Sequence, residues 1–316
     1  MSIKKLLPLI GIIIFIYILT TLDLQKIFTV FSLLSPGYVL LSFFAMVPVL
    51  ILVNYEWQLI LTSHKIRISS LYSLKNIFIG YFYGFITPGG FGAYTRAIYL
   101  RDESGSPLSK CVVNIVLINT VDTIALLILG VIGGLILSSK IPLIFPVFLL
   151  LLILIISLMV LLLRKELGKR FFTRLLHVRF LHRFTDKWSP YIDTLYEELP
   201  TPRDLLFPLF VSLLGWILWF SELYLVSQLF AIPLSYLSFM IVVAVASVIV
   251  MIPISIYGLG TREATLLGLF SLYGVAPERV VSFSLFWFVI AWLVPSIIGA
   301  GVTFLESRQG KKVSVQ

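Results

Sequence analysis

Two arginines stand at matching places in this sequence, each shortly after a proline- and glycine-rich break. Arg96 follows Thr87-Pro88-Gly89-Gly90-Phe91-Gly92, and Arg262 follows Pro253 and Gly258-Leu259-Gly260-Thr261, with Glu263 beside it. Proline removes a backbone donor and glycine has low helix propensity, so both stretches read as points where a helix stops and restarts. A restarting helix turns free N–H groups and the positive end of its dipole toward whatever faces it, which suits an anion. A guanidinium nearby adds bidentate hydrogen bonding to a phosphate or carboxylate. The pair therefore reads as an anion cradle; the alternative is two anchors reaching to lipid headgroups.

Acidic and amide groups inside apolar stretches form the second set. Glu56 lies near Asn54, Asp122 follows Asn114 and Asn119, and Glu222 stands alone. A carboxylate at the bilayer centre costs at least ~2.5 kcal/mol, so it should face the protein interior and find a partner. Asp122 is expected to pair with Arg96 or Arg262, and Glu56 or Glu222 are candidates for proton coupling. The expected substrate-binding set is thus Arg96, Arg262, Glu263, Asp122, Asn119, Glu56 and Glu222. The backbone breaks at Pro88, Gly89, Gly90, Gly92, Pro253, Gly258 and Gly260 complete it.

Other chemistries find no residues. His64, His177 and His182 fall in short or basic polar stretches without carboxylates at metal-ligand spacing, and one cysteine, Cys111, excludes an internal disulfide or a cysteine metal cluster. There is no Gly-x-x-x-x-Gly-Lys-Ser/Thr loop for nucleotide phosphates. No catalytic residue, metal or cofactor is expected.

The elements that must position these groups are membrane helices. The 316 residues are 59% hydrophobic and 12% charged, with mean hydropathy +1.05. The apolar residues gather in blocks near or above the ~18–20 residues that cross a bilayer core. The expected fold is all-α and polytopic, with about six full spans plus two broken re-entrant hairpins in an inverted repeat. The first repeat, 1–140, has spans at 6–22, 38–62 and 112–137 and a re-entrant segment at 74–100. The second, 141–316, has spans at 143–163, 205–230 and 282–305, a re-entrant segment at 237–273 and a basic cytoplasmic segment at 164–204. The run after Lys4-Lys5 is too long for a signal peptide and lacks a small-residue cleavage site, so it reads as a retained first span, and 23–37 as an outer loop.

Charge sets the orientation and forces the hairpins. The net charge is +9, with the basic residues between the apolar blocks, as the positive-inside rule requires and nucleic-acid binding does not. Lys4, Lys5, Lys65, Arg67, Arg101 and the run from Arg164 to Lys187 go to the cytoplasm, as do Arg308, Lys311 and Lys312. With both flanks of 74–100 inside and both flanks of 237–273 outside, each segment must enter and return on one side. Within 164–204, Phe171-Phe172, Leu175-Leu176 and Phe180-Leu181 recur at helical spacing among basic residues, as in a helix lying on an anionic leaflet. Paired interrupted segments of this kind mark transport sites, because non-helical backbone at membrane depth survives only within protein or beside a wet cavity.

Thr87-Pro88-Gly89-Gly90-Phe91-Gly92 with Arg96, together with Pro253, Gly258-Leu259-Gly260-Thr261-Arg262-Glu263, resembles the transmembrane region of the lysylphosphatidylglycerol synthase/flippase family, over nearly the whole chain. The resemblance implies a lipid-handling membrane domain. In the best-known members it carries aminoacylated phosphatidylglycerol across the bilayer after a separate cytosolic domain makes it; other relatives are linked to polyprenyl-linked sugar pathways. Two departures stand out. The sequence ends at Gln316, so the C-terminal aminoacyl-transfer domain and its activity are not carried over. Where the family often has Glu-Arg before the acid matching Asp122, this sequence has Ile118-Asn119. The expected function is a lipid translocase for a phosphate-bearing or anionic headgroup, a transporter and not an enzyme. The alternatives are a membrane component of polyprenyl-phosphate sugar or glycolipid synthesis, with Asp102-Glu103 as its carboxylate pair, and an ion-coupled transporter of a small anion. Expected partners are membrane lipids (phospholipid or polyprenyl-phosphate lipid), a separate lipid-modifying enzyme and, as one option, a second copy of the chain. The expected location is the plasma or inner membrane, with both termini cytoplasmic.

Overall fold

The computed structural model describes residues 7–32, 34–168, 170, 199–252, 255 and 258–308, and among these there are helices and no strands. Five helices are long and apolar enough to cross a membrane: α3 (Pro36–Ser63), α6 (Leu108–Leu137), α7 (Ile144–Leu163), the run Pro202–Leu229 that contains α8 (Leu206–Leu229), and the run Pro277–Glu306. A sixth is reached when α1 (Leu7–Thr21) and α2 (Leu24–Ser32), bent by 88° at their junction, are taken as one span. The fold is therefore all-helical and membrane-spanning, as expected. The cytoplasmic helix expected at 164–204 falls largely outside the described residues, as do Lys4, Lys5, Lys311 and Lys312.

α2 is a departure from the outer loop expected at 23–37. Asp23 accepts hydrogen bonds from the backbone N–H groups of Gln25 and Lys26 at 3.0 and 3.2 Å, and so caps the start of this helix. Ile27 is buried and packs with Ile18 and Val281, which folds α2 onto the long run that starts at Pro277.

Both glycine-rich segments interrupt a helix. α4 (Ser70–Phe85) ends and the chain tightens into a 3₁₀ turn, Pro88–Thr95, before α5 (Arg96–Ser104). α9 (Tyr236–Val250) ends ten residues before α10 (Thr261–Ser271) begins, and Pro253 lies outside the described residues. The short arms then finish alike. Gly105 at φ 68° terminates α5 ahead of Pro107 and α6; Gly274 at φ 69° follows α10, ahead of Pro277 and α11 (Pro277–Phe288). A left-handed residue ends a helix by turning the chain away from it, and proline suits the start of the next.

The long run from Pro277 is not uniform. Between α11 and α12 (Val294–Arg308) lies one π-helical stretch, Val289–Leu293. Beyond it, Ser296 donates to the Tyr81 carbonyl at 3.1 Å, and Gly299 brings α12 onto the backbone of α4 at Phe78. α9 meets α6 in the corresponding way, with Gly133 of α6 against the Ile241 carbonyl. α3 and α8 pack on each other through the centre. α7 lies at the edge: among its residues only Phe148 is buried, and Leu150, Ile153 and Leu154 face outward, where a bilayer would cover them.

Candidate functional site

The two breaks open onto one cavity of about 420 Å³. Gly90 and Arg96 line it from the first break, and Gly258 and Arg262 from the second. α3 contributes Glu56 and an apolar stripe, α6 contributes Asn119 and Asp122, and α8 contributes Ser212, Trp216 and Trp219. Trp287, Ala291 and Trp292 close the wall from α11 and the π stretch.

The first break is pinned by one hydroxyl. Thr87 Oγ1 donates to the Tyr83 carbonyl at 2.8 Å and accepts from Gly92 N–H at 2.7 Å. A side chain at Gly92 would collide with the Tyr83 carbonyl, so glycine permits that approach. Arg96 follows as the first residue of α5. Its Cζ lies 5.1 Å from the centre of the Trp57 ring, a cation–π contact, and its Nη2 donates to Asn119 Oδ1 at 3.5 Å. Trp57 is itself fixed by donating Nε1–H to Asn114 Oδ1 at 2.9 Å.

The second break holds Arg262 more tightly. Its side chain is 1% exposed. Nε donates to Glu263 Oε1 at 3.1 Å and to Ser284 Oγ at 2.8 Å, and Nη2 donates to Glu263 Oε1 at 2.5 Å. Glu263 Oε2 accepts from the Gly260 N–H at 2.6 Å. Nη1 of Arg262 has no hydrogen-bond partner among the described residues, although the residue lines the cavity. Gly258 reaches φ 77°, a left-handed conformation that side chains rarely adopt, and this turn delivers the chain to α10.

Several expectations are altered by this geometry. The helix ends do not offer free N–H groups at the two positions nearest the arginines. The Arg96 N–H bonds to the Ala93 carbonyl within the 3₁₀ turn, and the Gly260 N–H is taken by Glu263. Glu263 is fully buried and off the wall; it holds Arg262 in place. Asp122 accepts from Ser212 Oγ at 3.2 Å, a hydroxyl on α8, and the Arg96 charge, one of the two expected to pair with it, also acts on it. Glu222 is buried on α8 away from the cavity, with neither carboxyl oxygen hydrogen-bonded. Asp102 sits at the end of α5 against Arg101 Nη2 at 2.7 Å, also off the wall. Ser212 and Ser284 were not singled out in the sequence, and Trp57 and Trp216 read there as interfacial or packing residues: hydroxyls and aromatics are common in membrane helices, and only their tertiary neighbours distinguish them.

No group of three or more histidine, cysteine or acidic residues that could hold a metal occurs among the described residues. Residues 6–299 match the family described as Lysylphosphatidylglycerol synthase TM region. No curated protein matches the chain.

Proposed function

The chain belongs to the lysylphosphatidylglycerol synthase TM region family, and we propose that it is a translocase passing an anionic or phosphate-bearing lipid headgroup across the bilayer. It is a multi-pass membrane protein, and a role with membrane lipids fits the family. The observation that carries the proposal is the convergence of Arg96 and Arg262, each from its own broken helix, on one cavity. Arg262 brings a buried donor, Nη1, with no partner among the described residues. A buried guanidinium N–H left unsatisfied is costly, and a phosphate oxygen would satisfy it. A volume of about 420 Å³ suits a single polar headgroup, with the acyl chains left in the lipid.

The inverted repeat is part of this reading. Its support is the exchange of partners between halves: α4 of the first hairpin packs on α12, and α9 of the second packs on α6, each through a glycine of the long helix. In this arrangement both termini lie in the cytoplasm and the membrane is the plasma or inner membrane. The protein acts as a transporter, with a separate enzyme making or consuming the lipid.

Reconstitution into vesicles with a labelled phosphatidylglycerol tests the function. Crossing of the headgroup is expected to accelerate, and Arg262→Gln is expected to slow it by about tenfold or more, the worth of a charge-assisted hydrogen bond. No acceleration for any phosphate-bearing lipid refutes the proposal.

A further inference from the structure

The cavity wall carries two carboxyl groups that an anion cradle does not need. Glu56 on α3 is 3% exposed, and its Oε1 accepts no hydrogen bond from the described residues. Asp122 on α6 accepts from Ser212 Oγ at 3.2 Å, while its backbone carbonyl accepts from Trp216 Nε1 at 3.3 Å. The Ser212 hydroxyl is also within hydrogen-bonding reach of Glu56. A hydroxyl has one proton to donate. With that proton directed at Asp122, a buried Glu56 oxygen is left without a donor.

An ionised carboxylate in that state is costly, and a second one sharing the same hydroxyl adds like-charge repulsion. One further proton on the pair relieves both. The surrounding elements present a mixed set of groups to Glu56. Asp122 from α6, Tyr81 from α4, Arg96 from α5 and Arg262 from α10 line the same cavity. Arg262 is neutralised at close range by Glu263, and the one acidic residue of α8 within the membrane run, Glu222, is off the wall.

We infer that Glu56, Asp122 and Ser212 form a proton-binding site, and that the proton crosses the membrane together with the anionic headgroup. This rests on the translocase reading of the cavity. The two loads assist each other: a phosphate between the arginines adds negative charge beside the carboxyl pair and favours the proton, and the proton favours the phosphate by the same factor. Release of both on the far side returns the carboxyls to the state in which Ser212 serves them alone.

The full chain is reconstituted with labelled phosphatidylglycerol, and a gradient of one pH unit is imposed. One proton per lipid sustains an imbalance of label between leaflets approaching about tenfold, because one pH unit is a tenfold activity ratio. Glu56→Gln is expected to bring that ratio to about one, whatever the absolute rate of crossing. Asp122→Asn serves if the first variant does not fold. Catalysed crossing with an even distribution in the wild type overturns the coupling and leaves the translocase standing. A distribution that follows a sodium gradient and ignores pH also overturns it, and no crossing at all removes both readings. A second measurement is independent of transport. A fluorescent carbodiimide, which reacts with protonated carboxyls, is expected to modify Glu56 in detergent and to lose that reaction as pH rises. Label confined to outer carboxyls such as Asp102 at every pH counts against the site.

Discussion

Gly80 lies directly beneath the side chain of Arg96. A Cβ placed at position 80 would run into Arg96 Cδ and meet Cγ at 2.8 Å, closer than side chains approach. The guanidinium therefore crosses the face of α4 through a gap that only glycine leaves. Gly80→Leu is expected to fold, at an overpacking cost of about 1–3 kcal/mol, while displacing Arg96 from Trp57. Headgroup crossing should fall, as is also expected for Arg96→Gln, with a shift in Trp57 emission as the cation leaves its ring. Unchanged crossing in a folded Gly80→Leu protein argues that the position of Arg96 does not matter.

Glu263 and Arg262 form a buried pair whose members are unequal. Removing the carboxylate strands a buried cation and frees the Gly260 N–H, so Glu263→Ala is expected to cost about 3–5 kcal/mol. Thermal unfolding in detergent reads this as a large fall in midpoint. The double variant Arg262→Met, Glu263→Ala should recover part of the loss, since no unpaired charge remains. Additive losses in the double variant would show that the pair is not coupled.

Gly299 and Gly301 give a contrast on one helix. A Cβ at 299 would strike the Phe78 carbonyl of α4, whereas nothing lies within 4 Å of a Cβ at 301. Gly299→Ala is expected to destabilise by about 1–3 kcal/mol through overpacking. Gly301→Ala is expected to be neutral, or to stabilise by up to ~1 kcal/mol from helix propensity. Equal midpoints for the two would mean that α12 does not press on α4.

The proposed inverted repeat has a sidedness consequence. In a background with Cys111→Ser, a cysteine at Glu103, beyond the first hairpin, should react with a membrane-impermeant maleimide from the cytoplasmic side. A cysteine at Ala276, beyond the second, should react only from outside. All three positions are described, and Glu103 and Ala276 are exposed. Labelling of both from one side sinks the inverted repeat.

The long helices were legible because span length is a crude signal: twenty or more apolar residues have few other uses. The breaks were legible for an equally local reason, since proline and glycine act on their own backbone. What stayed hidden depends on facing. Glu222 and Glu56 look alike in sequence, each a carboxylate within an apolar block, but helical phase puts Glu56 on the wall and Glu222 off it. Asp122 finds its donor, Ser212, ninety residues away on α8, and no local pattern names that partner. α2 hid in a segment read as a loop because nine residues are too few for a span, although Asp23 ahead of it was a visible cap.

The π stretch at Val289–Leu293 sets a phase. One residue more than an α-helix would use lets Trp287 and Trp292 share a wall while Ser296 and Gly299 meet α4. Excising a single residue there would rewind the run to plain α and swing everything after it by about 100°. Gly299 would then leave the carbonyl it was shaped to meet, so this helix is keyed for two neighbours at once and has no spare register.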